Sequence, residues 1–461
     1  MAKLRIRQLK VKDKMSENVG NRYVVIIGAL IVQLCLGSIY AWSFFQTALR
    51  EGAYNWASIL TQLPFAAGLA SFALFMIFAG RWQDRVGPRK VATVGGILLG
   101  LGYILAMLVD IVSAGNEVIG TIWLIITYGI IGGAGIGFAY VCPIAALVKW
   151  FPDKKGAITG IAVAGFGAGA LAFGYVEQFL LDFYGLPGAA SIGMPFLVLG
   201  AVYLVLVVLG AQTLVNPPEG WLPEGFTPPT TTADGKGLEI TPSEMIRDGR
   251  FWLLWLAFVF AATAGLMTLG NVKSAATLID AATNAVILVG VMSLLNAAGR
   301  IFWGTVSDKL GRETTMMLMF LVLAIAMFAF AGVSAPGATS WLVVMAIASV
   351  IGFCFGGNFA LFPSATADFW GSKNVGKNYG VMFTSYGIAG ILGGLVAGSF
   401  VDFFELTTGS EALGYSYAFI ITGILAIIAL ILIFILKGKA EPEGADISEP
   451  IEPEIEPPTT E

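Results

Sequence analysis

Long apolar stretches alternate with short polar segments along the whole chain. Each stretch runs for roughly 20–30 residues, and a helix needs about 20 apolar residues to cross a bilayer. The strands of a transmembrane β-barrel would instead alternate in polarity over about ten residues. The pattern therefore predicts an all-α membrane protein with twelve transmembrane helices, at positions 23–46, 56–79, 91–112, 119–148, 156–181, 193–214, 251–274, 284–306, 315–336, 340–366, 378–401 and 414–436.

Positive charges are distributed unevenly between the predicted loops. Nearly all of the 26 Lys and Arg residues lie in the two tails or in segments that follow an even-numbered span. Arg50 follows an odd-numbered span, whereas Lys273 and Arg300 lie within spans or at their edge. Loops rich in Lys and Arg remain in the cytoplasm. We therefore expect a multi-pass protein of the cell membrane with both termini in the cytoplasm.

The composition excludes a soluble globular protein. Of the 461 residues, 57% are hydrophobic and 12% are charged, and the mean hydropathy is +0.81. Soluble domains carry about 25% charged residues. The chain has no His, and its three Cys lie in apolar spans, so the commonest general base and metal ligand is missing. We expect no metal, no cofactor, no nucleic-acid partner and no enzymatic activity.

The chain divides into two similar halves. A basic tail at 1–22 precedes a six-helix half at 23–214, and a Pro- and Thr-rich cytoplasmic loop at 215–250 leads to a second six-helix half at 251–436. An acidic, Pro-rich tail at 437–461 has the composition of a disordered segment. Internal repeats of this kind are typical of secondary transporters. The repeat is visible in two triplets with the same spacing: Gly80, Asp84 and Gly87, and Gly304, Asp308 and Gly311.

The first of these segments, GRWQDRVGPRK (80–90), resembles the signature loop of the major facilitator superfamily. The second, GTVSDKLGR (304–312), resembles the copy of that loop in the other half. The resemblance implies a conformational latch in which a carboxylate faces the positive end of a neighbouring helix. The latch residues would be Gly80, Asp84, Arg85, Gly87, Gly304, Asp308 and Gly311.

Further segments resemble one branch of that superfamily. They are QLCLGSIYAW (33–42), GIGFAY (135–140), KWFPDKKG (149–156), NPP (216–218) and NYG (378–380). As a set they are similar to the oxalate/formate antiporter family, a relative of the monocarboxylate transporters. The resemblance covers nearly the whole chain apart from its two tails.

Arg300 is the strongest candidate for substrate binding. It lies inside span 8, where a charge costs about 2.5–3.5 kcal/mol and requires a partner. Its planar guanidinium matches a carboxylate, and the equivalent position in the first half is Met76. The family resemblance implies that an Arg at this place binds the substrate carboxylate. Asn296, one turn earlier, lies on the same face and offers a hydrogen bond to the same anion.

The resemblance ends where the oxalate transporter has a second cation. The Lys of its helix 11 is replaced here by Tyr386, so a single carboxylate fits better than two. Asn296 also replaces an Asp that mammalian monocarboxylate transporters use in proton coupling. Polar and aromatic residues at the family's cavity positions are expected to line the site: Tyr40, Tyr140, Tyr386, Phe355, Phe359 and Gln33.

Two further charged residues are candidates for a coupling or gating role. Glu177 is the one acid clearly inside a predicted span, and Lys273 lies near the end of span 7. Ionisable groups at such depth are commonly functional. A plain interfacial position remains the alternative for each of them.

These features predict secondary active transport of a small organic anion by alternating access, as an exchanger or a proton symporter. A monocarboxylate such as lactate or formate is favoured over oxalate. The alternatives are a carrier for a sugar or a drug, and a non-transporting membrane sensor with the same fold. The expected partners are the organic anion and membrane lipid, and the protein is expected to be a monomer.

Overall fold

The computed structural model describes residues 22–50, 54–151, 155–184, 191–218, 221, 223, 240–334, 339–371 and 374–440. Most of both predicted tails and of the predicted central loop lie outside these residues, but the first residues of the predicted acidic tail, up to Ala440, continue the last helix. Within them, 12 helices are long and apolar enough to cross a membrane, as the sequence predicts. They are α1 Arg22–Arg50, α2 Ser58–Val86, α3 Pro88–Ala106, α4 Glu117–Trp150, α5 Gly160–Tyr184, α6 Gly193–Thr213, α7 Gly249–Ile279, α8 Ala285–Leu310, α9 Arg312–Gly332, α10 Trp341–Trp370, α11 Gly376–Thr408 and α12 Glu411–Gly438.

The even number of crossings places the start of α1 and the end of α12 on the same side of the bundle. We call this side the terminal face. The opposite side, which we call the far face, contains Arg50 at the end of α1 and Glu411 at the start of α12.

The two halves repeat the same local geometry and packing. Gly87 joins α2 to α3 with φ 88° and ψ 158°, and Gly311 joins α8 to α9 with φ 83° and ψ 158°. Only glycine adopts this conformation readily. In the first half α2 packs on α4 and α3 on α6, and in the second half α8 packs on α10 and α9 on α12. The fold is therefore two six-helix pseudo-repeats.

The halves pack together mainly through three pairs of helices. These pairs are α2 with α11, α5 with α8, and α1 with α7. A Cβ atom on Gly390 of α11 would lie 2.6 Å from the Cβ of Leu69 in α2. Small residues let membrane helices approach closely, so glycine here allows the two halves to pack with their backbones near each other.

Asp248 fixes the start of α7 on the terminal face. Its carboxylate accepts hydrogen bonds from the backbone of Arg250 at 2.9 Å and from the indole of Trp370 at 2.9 Å. Partial burial alone would raise its pKa, but the hydrogen bonds from Arg250 and Trp370 outweigh it and hold the pKa of Asp248 below its usual range. The group is therefore ionised at neutral pH and ties α7 to the end of α10.

Candidate functional site

Three helices are irregular where the two halves meet in the middle of the bundle. α1 tightens into a 3₁₀ turn at Ser38–Ala41, α5 is interrupted at Ala168, and α11 is interrupted at Phe383. No Pro stands at these breaks. A Cβ on Gly37 would lie 1.9 Å from the Phe166 carbonyl oxygen, so α1 and α5 are in backbone contact there. Interrupted helices at this depth are typical of transporter binding sites.

Arg300 lies beside these interruptions and is 3% exposed. Its Nη1 donates to the Val163 carbonyl oxygen of α5 at 2.7 Å. Its Nε and Nη2 donate to Oδ1 of Asn296 at 3.3 and 3.1 Å. Its guanidinium carbon stands 4.2 Å from the ring centre of Phe359. The side chain is therefore fixed from both halves of the protein.

The charge of Arg300 is not balanced by an acid. Among the described residues, no carboxylate lies within 4.0 Å of its guanidinium. The hydroxyl groups of Tyr40 and Tyr140 lie near enough to interact with it electrostatically. Its described partners are thus a carbonyl, an amide, hydroxyls and aromatic rings. A buried cation with only neutral partners is costly, and a bound anion would lower that cost.

Asn296 holds the guanidinium in place. Its Nδ2 donates to the Gly352 carbonyl oxygen of α10 at 3.2 Å, which turns its Oδ1 toward Arg300. The residue is completely buried. Asn296 therefore lies one helical turn before Arg300 on the same face of α8, as the sequence predicts. Its Oδ1 already accepts hydrogen bonds from the guanidinium.

The predicted aromatic residues gather around Arg300. The hydroxyls of Tyr40 and Tyr386, in opposite halves, are 3.0 Å apart. The ring centres of Tyr40 and Phe355 are 5.9 Å apart, and those of Phe359 and Tyr386 are 5.6 Å apart. The structure thus brings together four residues from α1, α10 and α11 that are distant in sequence. Their role in binding stays a prediction.

Tyr140 and Gln33 form a second part of the same cluster. The Tyr140 ring centre lies 5.2 Å from that of Phe166, which is itself 5.1 Å from that of Tyr40. Gln33 Nε2 donates to the Tyr140 carbonyl oxygen at 3.2 Å. Its buried Oε1 has no hydrogen-bond partner within the described part of the chain. An unpaired buried acceptor is costly, so this atom is suited to a donor group on a ligand.

Several residues of this cluster are not among those predicted from the sequence. Phe166 and Phe383 complete the aromatic lining, and Phe72 of α2 lies 5.7 Å from Tyr386 between ring centres. Val163 supplies a backbone carbonyl, for which side-chain identity gives no signal. The NYG segment of the family resemblance points to α11, but it does not single out Phe383.

Glu177 does not join the Arg300 cluster. It is 1% exposed inside the first half, and Tyr203 of α6 donates to its Oε1 at 3.4 Å. Its Oε2 has no hydrogen-bond partner among the residues that the structure describes. The carboxyl is therefore buried rather than placed at a wet helix end, and its part in coupling stays a prediction.

Lys273 lies between the halves on the far-face side of the bundle. Its Nζ donates to Oε1 of Gln178 in α5 at 3.0 Å and stands 4.9 Å from the ring centre of Phe44 in α1. It is thus a contact between α7 and the first half. Its gating role stays a prediction.

The second predicted latch segment is an ion-pair cluster on the terminal face. Arg312 bonds to Asp308 at 2.7 Å and to Asp368 of α10 at 3.0 Å, and it donates to the hydroxyl of Ser307. In the first segment, Gly80 and Arg85 lie in α2 and Gly87 follows it, but the Asp84 side chain is outside the described residues. A Cβ on Gly304 would lie 3.3 Å from that of Ala360.

The far face contains polar contacts between the halves that the sequence does not predict. Arg50 pairs with Glu411 at 2.7 Å and donates to the Tyr415 hydroxyl at 3.2 Å. Asp402 of α11 accepts hydrogen bonds from the backbone nitrogens of Ser58 and Ile59, at 2.7 and 2.8 Å. Further contacts join Gln62 to Asn271, Thr47 to Ser274, and Gln46 to Ser274.

Comparison with known proteins identifies relatives across most of the chain. The MFS-type transporter YhjX of Escherichia coli (strain K12) is 31% identical over 80% of this chain and 86% of its own. The oxalate:formate antiporter of Oxalobacter formigenes is 28% identical over 92% of this chain and 93% of its own. Apicoplast pyruvate carrier 1 of Toxoplasma gondii is 25% identical over 78% of this chain and 80% of its own.

Solved structures share the fold. The crystal structure of a D-xylose-proton symporter superposes with a TM-score of 0.67 at 16% identity, over 90% of this chain and 98% of that one. The sequence model of the Major Facilitator Superfamily matches residues 25–394 and 275–457. Because these matches cover most of the chain, the protein belongs to the Major Facilitator Superfamily, a family of membrane transporters.

Proposed function

We propose that this transporter carries small monocarboxylates such as formate, lactate or pyruvate, as an exchanger or a proton symporter. The observation that supports this most directly is Arg300, a buried guanidinium between the two halves whose described partners are all neutral. A carboxylate would supply the missing charge in a geometry that guanidinium binds well. The anion would bind at the middle of the bundle while the halves rock around it.

The surroundings of Arg300 favour one carboxylate over two. Tyr386 occupies the position that the resemblance assigns to a second cation, and its hydroxyl is hydrogen-bonded to Tyr40. The remaining walls are aromatic rings, among them Phe355 and Phe359. Such walls suit the apolar part of a small acid and leave a second carboxylate without a partner. Two relatives are named for carboxylates, an oxalate:formate antiporter and a pyruvate carrier, which supports a carboxylate substrate without deciding the number of carboxylates.

The orientation in the membrane follows from the charge distribution. The clusters of Lys and Arg in the loops mark the terminal face as the cytoplasmic side. We therefore assign the far face to the outside, with Arg50, Asp402 and Glu411 at the outer ends of their helices.

The test is transport by the purified protein in liposomes. Labelled formate, lactate, pyruvate, oxalate and xylose are offered, with and without a pH gradient, and with and without unlabelled anion inside the vesicles. We expect saturable uptake of the three monocarboxylates, weak uptake of oxalate and none of xylose. Stimulation by internal anion identifies exchange, and stimulation by external acid identifies proton symport. Uptake of xylose alone, or of none of the compounds, would contradict the proposal.

A further inference from the structure

Gly167 of α5 lies against the two residues that form the proposed carboxylate anchor. A Cβ atom built on it would stand 2.7 Å from Oδ1 of Asn296, 3.1 Å from Nε of Arg300 and 3.3 Å from the Cα of Ala297. Real Cβ atoms essentially never approach another heavy atom as closely as 2.7 Å. A side chain at position 167 therefore requires a shift of Asn296, of Arg300 or of the two helices.

Val163 lies one turn before Gly167 on the same face of α5. Its carbonyl oxygen accepts the 2.7 Å hydrogen bond from Nη1 of Arg300. This bond crosses between the halves, because α5 belongs to the first and α8 to the second. The short distance between the helices that Gly167 permits is therefore what brings the carbonyl within reach of the guanidinium.

Both side chains that a methyl group at position 167 would meet are held by other contacts. Asn296 is held through its Nδ2 by the Gly352 carbonyl, so its Oδ1 has little room to turn away. Arg300 is limited by the ring of Phe359 at 4.2 Å. A methyl group at position 167 would therefore either push α5 from α8, breaking the Val163 bond, or push the guanidinium off Asn296.

We propose that Gly167 is a positioning residue for substrate: its lack of a side chain lets α5 of the first half set the direction in which Arg300 of the second half presents its guanidinium to a carboxylate. The inference rests on the proposed function, in which Arg300 is the carboxylate anchor. It adds that the anchor is built by both halves, so movement of the halves changes the hydrogen bonds of the anchor.

The test compares two glycine substitutions in the same helix. Gly160 lies in α5 seven residues earlier, and a Cβ there would meet nothing within 4 Å. Each variant removes one glycine from α5, but only Gly167→Ala places a methyl against Asn296 and Arg300. We expect Gly167→Ala to raise the KM for formate uptake about tenfold or more, with kcat changed much less, since a binding group held off its proper geometry loses affinity.

Gly160→Ala serves as the reference, with KM near that of the wild type. A KM for Gly167→Ala within twofold of Gly160→Ala would overturn the inference and leave the proposed function intact. Wild-type protein without saturable carboxylate uptake would overturn both.

A second genetic background, Asn296→Ala, distinguishes an effect of Gly167→Ala on the position of Arg300 from an effect on folding. Asn296→Ala removes the oxygen that the new methyl meets at 2.7 Å. In that background, adding Gly167→Ala should change KM much less than it does in the wild type, because the two substitutions act on one contact. If Gly167→Ala alone does not fold, recovery of a folded double variant supports the same contact. An unfolded double variant, or full additivity of the two effects, contradicts it.

Discussion

At the scale of single residues, the site depends on where one charge is placed. An Arg inside a predicted span is easily recognised in the sequence as a candidate site residue, because inserting a charge into the membrane is costly. Asn296 follows from helical spacing, and the tyrosines and phenylalanines of the cluster follow from the family resemblance. The sequence does not point to Phe166, Phe383 or Gly167. Their helices are apolar on every side, so hydrophobic periodicity does not indicate which face points inward.

In the proposed function, Tyr386 is the residue that limits the site to a single carboxylate. It is fully buried, and its hydroxyl meets that of Tyr40 at 3.0 Å. Replacing it by Lys adds a second cation to the cluster that contains Arg300. We expect Tyr386→Lys to shift preference from formate toward oxalate by about ten- to a hundredfold, the range that a hydrogen bond to a charged group provides. The measurement is competition of the two unlabelled anions against labelled formate.

Tyr386→Phe is the matched control, because it removes the hydroxyl and keeps the ring without adding charge. Equal oxalate preference in the Lys and Phe variants would show that the second cation is not what distinguishes the two substrate classes.

At the scale of helices, the sequence predicts existence and length better than regularity. All twelve predicted spans are present as helices, because a run of about 20 apolar residues rarely forms anything other than a membrane-spanning helix. The breaks at Ser38–Ala41, Ala168 and Phe383 are not predicted. They contain no Pro, and the first two lie where the backbone of Gly37 in α1 packs against the carbonyl of Phe166 in α5.

At the glycine turns on the terminal face, by contrast, the sequence motif itself indicates the local backbone geometry. Gly311 has φ 83°, and a Cβ there would meet nothing within 4 Å, so substitution strains only the backbone. We expect Gly311→Ala to destabilise the protein by about 1–3 kcal/mol. The midpoint of thermal unfolding in detergent checks this.

Gly376→Ala provides the comparison, because Gly376 is helical and a Cβ on it also meets nothing within 4 Å. That variant should match or slightly exceed the wild type in stability. Equal loss in both variants would mean that the positive φ at Gly311 carries no special cost.

At the scale of the whole molecule, the polar contacts between halves define which side is closed. Several of them lie at the middle of the bundle and on the far face, where Asp402, Arg50 and Lys273 reach the opposite half. Such long-range pairings are invisible in a single sequence because nothing local specifies the partner. In this conformation the two halves are therefore held together by polar contacts on the far face.

Asp402 makes the clearest of these contacts between the halves. Its carboxylate accepts from the first two backbone nitrogens of α2, where the helix dipole favours negative charge. The contact exists only while the halves are together on the far face. We expect Asp402→Ala to raise the ratio of far-face-open to closed protein about two- to fivefold, from the roughly 0.3–1 kcal/mol typical of such a charge.

Distances between spin labels measure this shift. Labels at Val118 and Leu342, both exposed at the far-face ends of α4 and α10, report the separation of the halves in protein whose three buried cysteines are replaced. Thr407→Ala, on the exposed surface of α11, should leave the distances unchanged. An identical distribution in Asp402→Ala would show that this contact does not hold the far face closed.

Binding of formate to purified, folded Arg300 variants tests the central claim most directly. Removing one partner of a buried charge pair costs about 3–5 kcal/mol, or roughly two to four orders of magnitude in Kd. We expect Arg300→Ala to show no measurable affinity and Arg300→Lys to bind poorly, because an ammonium does not reproduce the guanidinium fork. Arg89→Ala, which removes an exposed cation on the terminal face, should bind like the wild type. Near-normal formate affinity in Arg300→Ala would contradict the claim that this residue holds the substrate.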